Sequence, residues 1–332
     1  MAATAPWSHG KEASVLEILV ITTPIFLLIG TGYLAMATKL VNREQIQGIG
    51  TFVLYFALPA LVIRALTQNP LDEVIQPHYL LAYGLGSLAV FGFALLLTLK
   101  VQHKPLNEGA MHALGMAASN SGFIGYPVAA MVLGSSPAAV FLALNMLIEN
   151  LLIIPAALIL AEAGRQRGAG IITAARKTVV RLVRNPILIG LTLGVMLAVT
   201  YTSLPRPLAQ VVDMLASAAG PAALFVIGGT LFGLQVRGMA GDVGQIVIGK
   251  LLLHPLAILG FFLLMPEADP MLLAGALLFA CAPMISVYPL LGQRYGLAGV
   301  SATALMAATL GAFVTLSLAI GLMKHYHLLP AG

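Results

Sequence analysis

Long apolar runs separated by short polar connections dominate the 332-residue chain. A hydrocarbon core about 30 Å thick takes roughly 20 helical residues at about 1.5 Å each. Ten runs approach or exceed that length: residues 15–37, 47–68, 77–99, 109–133 and 137–161, then 178–200, 207–233, 242–264, 270–291 and 297–322. None shows the alternation over roughly ten residues that marks a membrane β-strand, so all are predicted as helices. The expectation is an all-α polytopic membrane protein with ten transmembrane helices. Residues 1–14 and 325–332 read as external tails, and 162–177 as a cytoplasmic linker between 15–161 and 178–324. The first run reads as a retained span, because the stretch before it is polar and no small-residue cleavage pattern ends it.

The two halves repeat. A shift of 162 residues lays Pro24 on Pro186, Gly32 on Gly194, Thr38 on Thr200 and Pro59 on Pro221. Tyr126 and Pro127 fall on Tyr288 and Pro289, and Gly134 on Gly296. Scattered Leu or Ala matches arise by chance among apolar segments, but several prolines in one register do not. A unit of five spans is odd in number, so its second copy enters the membrane from the opposite side. Two inverted five-helix repeats are an architecture of secondary transporters.

Spans four and nine occupy matching places and are both interrupted. Span four carries Gly115, Asn120, Ser121, Gly122, Gly125 and Pro127 in its middle, and in span nine Pro283 and Pro289 bracket Ser286. Proline removes a backbone donor and clashes with the preceding turn, and irregular backbone at membrane depth needs protein or an aqueous cavity to satisfy it. Glycine and proline are common in membrane helices, so one break alone would be structural. Two broken helices at corresponding positions point instead to a substrate region, where half-helix amino termini favour an anion. Asn120 is its most informative side chain, an amide with four hydrogen-bonding positions to satisfy.

Few other polar side chains lie within the runs. Asn145 and Glu149 are four residues apart and share one helix face. A carboxylate in hydrocarbon turns to a cavity or a partner, which makes Glu149 the candidate proton carrier; the alternative is a structural pair with Arg64 or Lys250. Arg64 either meets a substrate carboxylate or snorkels to the interface. Thr51 and Tyr55 share a face of span two with Pro59 and are candidate cavity residues. His112 and His254 are secondary candidates for a proton relay, against a packing role. Trp7, Lys324, His325, Tyr326 and His327 read as end anchors or tail.

Composition and charge sharpen this picture. Hydrophobic residues make up 59% of the chain and charged ones 9%, against roughly 25% charged in soluble domains. The net charge of +5 comes with no basic face interleaved with aromatics, so no nucleic-acid partner is expected. With both termini outside, the inner connections carry twelve Lys and Arg and the outer segments three: Lys11, Arg206 and Lys324. The lone cysteine, Cys281, excludes an internal disulfide. No GxxxxGK[ST] loop, HExxH, GxSxG or metal-spaced cysteine pair is present. The chain therefore reads as no enzyme and needs no cofactor beyond a coupling proton or, alternatively, Na+.

The stretches PIFLLIGTGYLA, FVLYFALPALVIRAL, SNSGFIGYPVAAMVLG, RNPILIGLTLG, PAALFVIGGTLFG and APMISVYPLLGQRYG resemble the auxin efflux carrier family over nearly the whole chain. Its bacterial members are permeases for malonate, malate and related acids, and its architecture is similar to that of bile-acid sodium symporters. The resemblance implies broken helices four and nine crossing at Pro127 and Pro289, with a small organic anion beside Asn120. Thr51, Tyr55, Asn145 and Glu149 are implied contributors from spans two and five. A homodimer in the cell inner membrane is implied as well. The large cytoplasmic loop of the long plant exporters is missing, so a small mono- or dicarboxylate is expected rather than auxin.

Overall fold

The computed structural model describes residues 15–68, 76–165, 176, 179–180, 183–200, 202–233, 240–265, 269–326 and 328–329, with side chains from residue 23 onward. Trp7, Lys11, Arg167, Lys177, Arg181, Arg237 and His327 lie outside the described residues, as do residues 1–14 and most of the linker and C-terminal tail. Among the described residues every regular element is a helix. In chain order these are α1 (Val15–Ala37), α2 (Arg43–Gln68), α3 (Pro77–Val101), α4 (Leu106–Leu133, interrupted), α5 (Ser135–Arg165), α6 (Pro186–Val199), α7 (Arg206–Leu231) and α8 (Ala240–Leu263). Then come α9, in two pieces (Pro270–Ala280 and Tyr288–Arg294), and α10 (Ala298–His325). Seven of them, α2, α3, α4, α5, α7, α8 and α10, are long and apolar enough to cross a membrane. Three shorter apolar helices, Thr23–Ala37, Pro186–Val199 and Pro270–Ala280, fall on the remaining runs.

Local chemistry sets the helix starts. Asn42 and Gln45 form a reciprocal capping box at α2: Asn42 Oδ1 accepts the Gln45 N–H at 2.9 Å and Gln45 Oε1 accepts the Asn42 N–H at 2.8 Å. Asn185 caps α6 and Asp269 caps α9, each followed by a proline whose missing N–H costs nothing in the first turn. Hydroxyls just past the ends of α1 and α6 donate to the last turn, Thr38 to the Leu34 carbonyl at 2.8 Å and Thr200 to that of Met196 at 2.7 Å. Those two bonds stand 162 residues apart. So do Gly134 and Gly296, with φ of 91° and 84°, each ending an interrupted helix in a conformation closed to most side chains.

The helices pack in two layers. In one, α1 lies along α7 and α2 along α6 and α7; in the other, α3, α4, α5, α8, α9 and α10 pack together. Glycines bring the first layer into close contact. A Cβ on Gly32 would stand 2.0 Å from the Phe225 carbonyl oxygen, and one on Gly228 would stand 1.8 Å from that of Ile29. Across the register, a Cβ on Gly194 would stand 3.3 Å from Ile63 Cα. Between apolar helices in lipid, such approach supplies dispersion contact that longer side chains would prevent. Leu27, Leu34, Phe56, Leu96, Met196 and Leu263 face outward and exposed, where lipid covers them. Gly228→Ala is expected to cost about 1–3 kcal/mol through overpacking and to lower the unfolding temperature in detergent. Gly30→Ala, with open space around the new methyl, is expected to leave it unchanged.

Candidate functional site

Both interrupted helices break where the sequence weakens them. α4 stops at Ala117, the chain runs through Ala118 to Asn120, and helix resumes as a π turn at Ser121–Gly125 followed by Tyr126–Leu133. α9 stops at Ala280 and restarts at Tyr288, with Pro289 in its first turn. The breaks meet: the Asn120 N–H donates to the Pro283 carbonyl at 2.7 Å, and Ser286 Oγ donates to Asn120 Oδ1 at 3.4 Å. Each break thus supplies partners for backbone and side-chain groups freed by the other, which is what hydrocarbon demands.

A cavity of about 410 Å³ opens beside this junction between the layers, within the range of small-molecule sites. Its polar wall is Ser119, Asn120, Ser121, Glu149, Asn150, Asn185 and Ser286; Leu54, Leu58, Ile187 and Leu290 contribute to its apolar wall. The Asn120 Nδ2 group is buried without a partner. An unsatisfied buried donor costs about 1–3 kcal/mol, and an acceptor placed in the cavity would recover it. The first N–H groups of the resumed helix, at Ser121, Gly122 and Phe123, precede any intrahelical carbonyl able to accept them and add partial positive charge. At the rim, Asn185 Nδ2 donates to Asn150 Oδ1 at 2.8 Å and ties α6 to α5.

Glu149 lies at the start of a second π turn, Glu149–Ile153, a local widening frequent at functional sites. Its Oε1 accepts the Ser119 N–H at 3.0 Å and the Ser121 hydroxyl at 2.8 Å. It forms no direct ion pair with Arg64 or Lys250; Ser119 stands between it and Lys250, whose Nζ donates to Ser119 Oγ at 2.7 Å. Lys250 also contacts His254 Nδ1 at 2.7 Å, and His254 Nε2 lies 2.9 Å from Ser87 Oγ. Tyr83 completes the cluster at 3.0 Å from Ser119 Oγ.

The sequence candidates therefore divide. Asn120, Ser121, Ser286 and Glu149 converge on the cavity, and the Pro283 carbonyl forms the junction. Thr51 and Tyr55 lie on the exposed face of α2, and the Thr51 hydroxyl donates to the Gln47 carbonyl at 2.8 Å. A π turn at Val53–Ala57 adds a residue to the helix and rotates the face, so Leu54 and Leu58 line the cavity in their place. Asn145 is buried one turn before Glu149, outside the cavity wall, with both amide atoms unpartnered. Arg64 donates to Ser217 Oγ at 3.4 Å. Ser217 borders a separate cavity of about 190 Å³ with Tyr126, Pro127 and Pro221. Pro289 opens the second piece of α9. His112 is buried with both ring nitrogens unpartnered, whereas His254 joins the Lys250 cluster. Sequence reasoning missed Ser119, Asn185, Tyr83 and Ser87, which are unremarkable in a single sequence. Lys250 and His254, four apart in an apolar run, were the available signal for that cluster.

A junction of two broken helices beside a cavity is what a membrane transport protein would show, and comparison supplies that class. Residues 18–320 match the family described as membrane transport protein. The chain belongs to this family, that of the auxin efflux carriers its motifs resemble, and is a multi-pass membrane protein. It is 30% identical over 285 residues to a Rhizobium meliloti (strain 1021) protein named "Putative malonate transporter", covering 84% of this chain and 87% of that one. It is also 24% identical over 277 residues to the mouse (Mus musculus) lysosomal cholesterol signaling protein, covering 77% of this chain but 32% of that protein.

Water access to the cavity has a direct test. Cys281 is buried at 4% exposure, and Ser286 is half-buried on the cavity wall. Ser286→Cys is expected to react with a charged methanethiosulfonate in the folded protein roughly tenfold or more faster than Cys281, since thiol reactivity follows access. Mass spectrometry of the labelled protein reads both sites.

Proposed function

We propose that this protein is a secondary active transporter of a small organic anion, a mono- or dicarboxylate such as malonate or malate, working by alternating access and coupled to protons. The observation that carries the reading is the unpartnered Asn120 amide on the wall of a 410 Å³ cavity at the meeting of two broken helices. A carboxylate would accept from Asn120 and lie at the positive end of the resumed α4 helix. The name of the Rhizobium relative supports a short dicarboxylate as the first acid to test.

In this reading all ten helices span the membrane as two inverted repeats, residues 15–161 and 178–324, joined by the 162–177 linker. Both termini lie outside the cell inner membrane, as the basic residues of the inner connections favour. The matched φ values of Gly134 and Gly296 and the matched Thr38 and Thr200 bonds support the repeat. The layer of α1, α2, α6 and α7 moves against the other, carrying the open side of the cavity from one face to the other. A homodimer remains part of the reading on the family resemblance.

Charge explains the coupling. The cavity already holds one carboxyl group, Glu149. Two carboxylates sharing a water-poor site repel strongly, and a proton between them removes the repulsion. The anion would thus enter with a proton on Glu149. An intramembrane enzyme would need a nucleophile and base at hydrogen-bond distance, and a channel would show no saturable counterflow.

Two substitutions test this reading. Asn120→Ala is expected to weaken malonate binding to the purified protein roughly tenfold, the scale of one hydrogen bond to a charged group, with the unfolding temperature unchanged; equal affinity would place the site elsewhere. Wild-type malonate affinity is expected to fall as pH rises, because Glu149 loses its proton. Glu149→Gln, neutral at every pH, is expected to flatten that dependence while counterflow persists. Proton-linked uptake surviving in Glu149→Gln would remove Glu149 from coupling.

A further inference from the structure

We propose that the ammonium group of Lys250 occupies the cation position of this carrier, so that transport proceeds without a metal cation. The inference rests on the carrier reading above and takes the proton side of the proton-or-sodium alternative. Where a membrane helix is broken, the first piece ends in carbonyls without intrahelical partners and in partial negative charge. Transporters with discontinuous helices place a coupling cation at such ends. Here one side chain reaches both the end of Pro270–Ala280 of α9 and the residue just past Leu106–Ala117 of α4.

Lys250 reaches that point from α8. Its Nζ donates to the carbonyl of Ala280, the last residue of the first α9 piece, at 2.9 Å. It donates to Ser119 Oγ, just past the first α4 piece, at 2.7 Å, and lies 2.7 Å from His254 Nδ1. Three acceptors match the three protons of an ammonium group. The side chain is fully buried, at 0% exposure. Backbone geometry brings it there: the π turn Gly249–Leu253 carries Lys250, and a Cβ on Gly249 would stand 2.1 Å from Met116 Cε, so α8 approaches α4 at that residue. The titratable groups around the amine are Glu149, His254, Tyr83 and Cys281. A tethered cation thus offsets the half-helix ends and the nearby carboxylate, where other carriers would recruit a sodium ion.

The test uses the full chain in proteoliposomes and follows counterflow of labelled malonate in sodium chloride and in choline chloride. Wild type is expected to exchange at the same rate in both. Lys250→Ala is expected to lose roughly tenfold or more in choline, since removing one member of a buried charged cluster leaves the rest uncompensated, and to regain exchange when sodium or ethylammonium fills the vacated space. Lys250→Met, which keeps the bulk without the charge, is expected to stay inactive in every buffer. A sodium requirement in wild type, or wild-type exchange by Lys250→Ala in choline, would overturn the proposal. Should the variants not fold, wild-type unfolding temperature decides: equal values in the two salts support it, and a rise in sodium, the mark of a bound ion, refutes it. Should wild type exchange no malonate, the carrier reading fails for that acid, and the thermal comparison still reports on the cation position.

Discussion

The intolerance of hydrocarbon for unpaired backbone groups organises this molecule. A continuous helix satisfies that constraint within itself, and α4 and α9 do not remain continuous. Their solution is mutual: the Asn120 N–H finds the Pro283 carbonyl, and Ser286 finds the Asn120 side chain. Ser119, Ser121, Glu149 and Lys250 are gathered around that junction. The second layer encloses the breaks, so that their loose ends face protein or the cavity and never lipid.

The junction also sorts charge. Resumed helices begin with free N–H groups and interrupted ones end with free carbonyls, so each break has a positive and a negative side. On the positive side of α4 lies the cavity with the unpartnered Asn120 amide. On the negative side lies Lys250, bonded to the Ala280 carbonyl and to Ser119. Glu149 stands between the sides and touches both, through the Ser119 N–H and the Ser121 hydroxyl. A change of charge at Glu149 is therefore felt by the cavity and by the lysine cluster through two residues of one broken strand of backbone.

Much of this was legible in the sequence because the bilayer imposes a length scale. Apolar runs near 20 residues located the described helices, and proline with glycine located the breaks, because both act locally on the backbone. Asn120, Ser121, Ser286 and Glu149 were legible for the same reason: they lie at or near a break, and a polar group in hydrocarbon is rare. Thr51 and Tyr55 lie on the exposed face of α2 and not on the cavity wall. Their common face was read with a regular α period, and the π turn at Val53–Ala57 inserts a residue that no side-chain pattern announces. The partners of Lys250 were illegible for another reason. Ser119, Ala280 and Tyr83 come from three other helices, and only tertiary packing decides which of many small residues approaches the amine.

Gly32 and Gly228 bring the backbones of α1 and α7 close together in the first layer. Little but backbone separates the two helices at those positions, which favours movement of that layer as a body. The second layer holds its charged groups in bonds between its own helices: Glu149 on α5 with α4, and Lys250 on α8 with α4 and α9. A displacement between layers would therefore leave the Glu149 and Lys250 bonds intact. It would change mainly the apolar wall of the cavity, where Leu54, Leu58 and Ile187 of α2 and α6 face α4, α5 and α9. Such sliding passes apolar surface over apolar surface and would break the bond from Asn185 on α6 to Asn150 on α5. Polar groups bonded within one layer, with mostly apolar contact between layers, are the physical condition under which the proposed carrier would move its site without dismantling it.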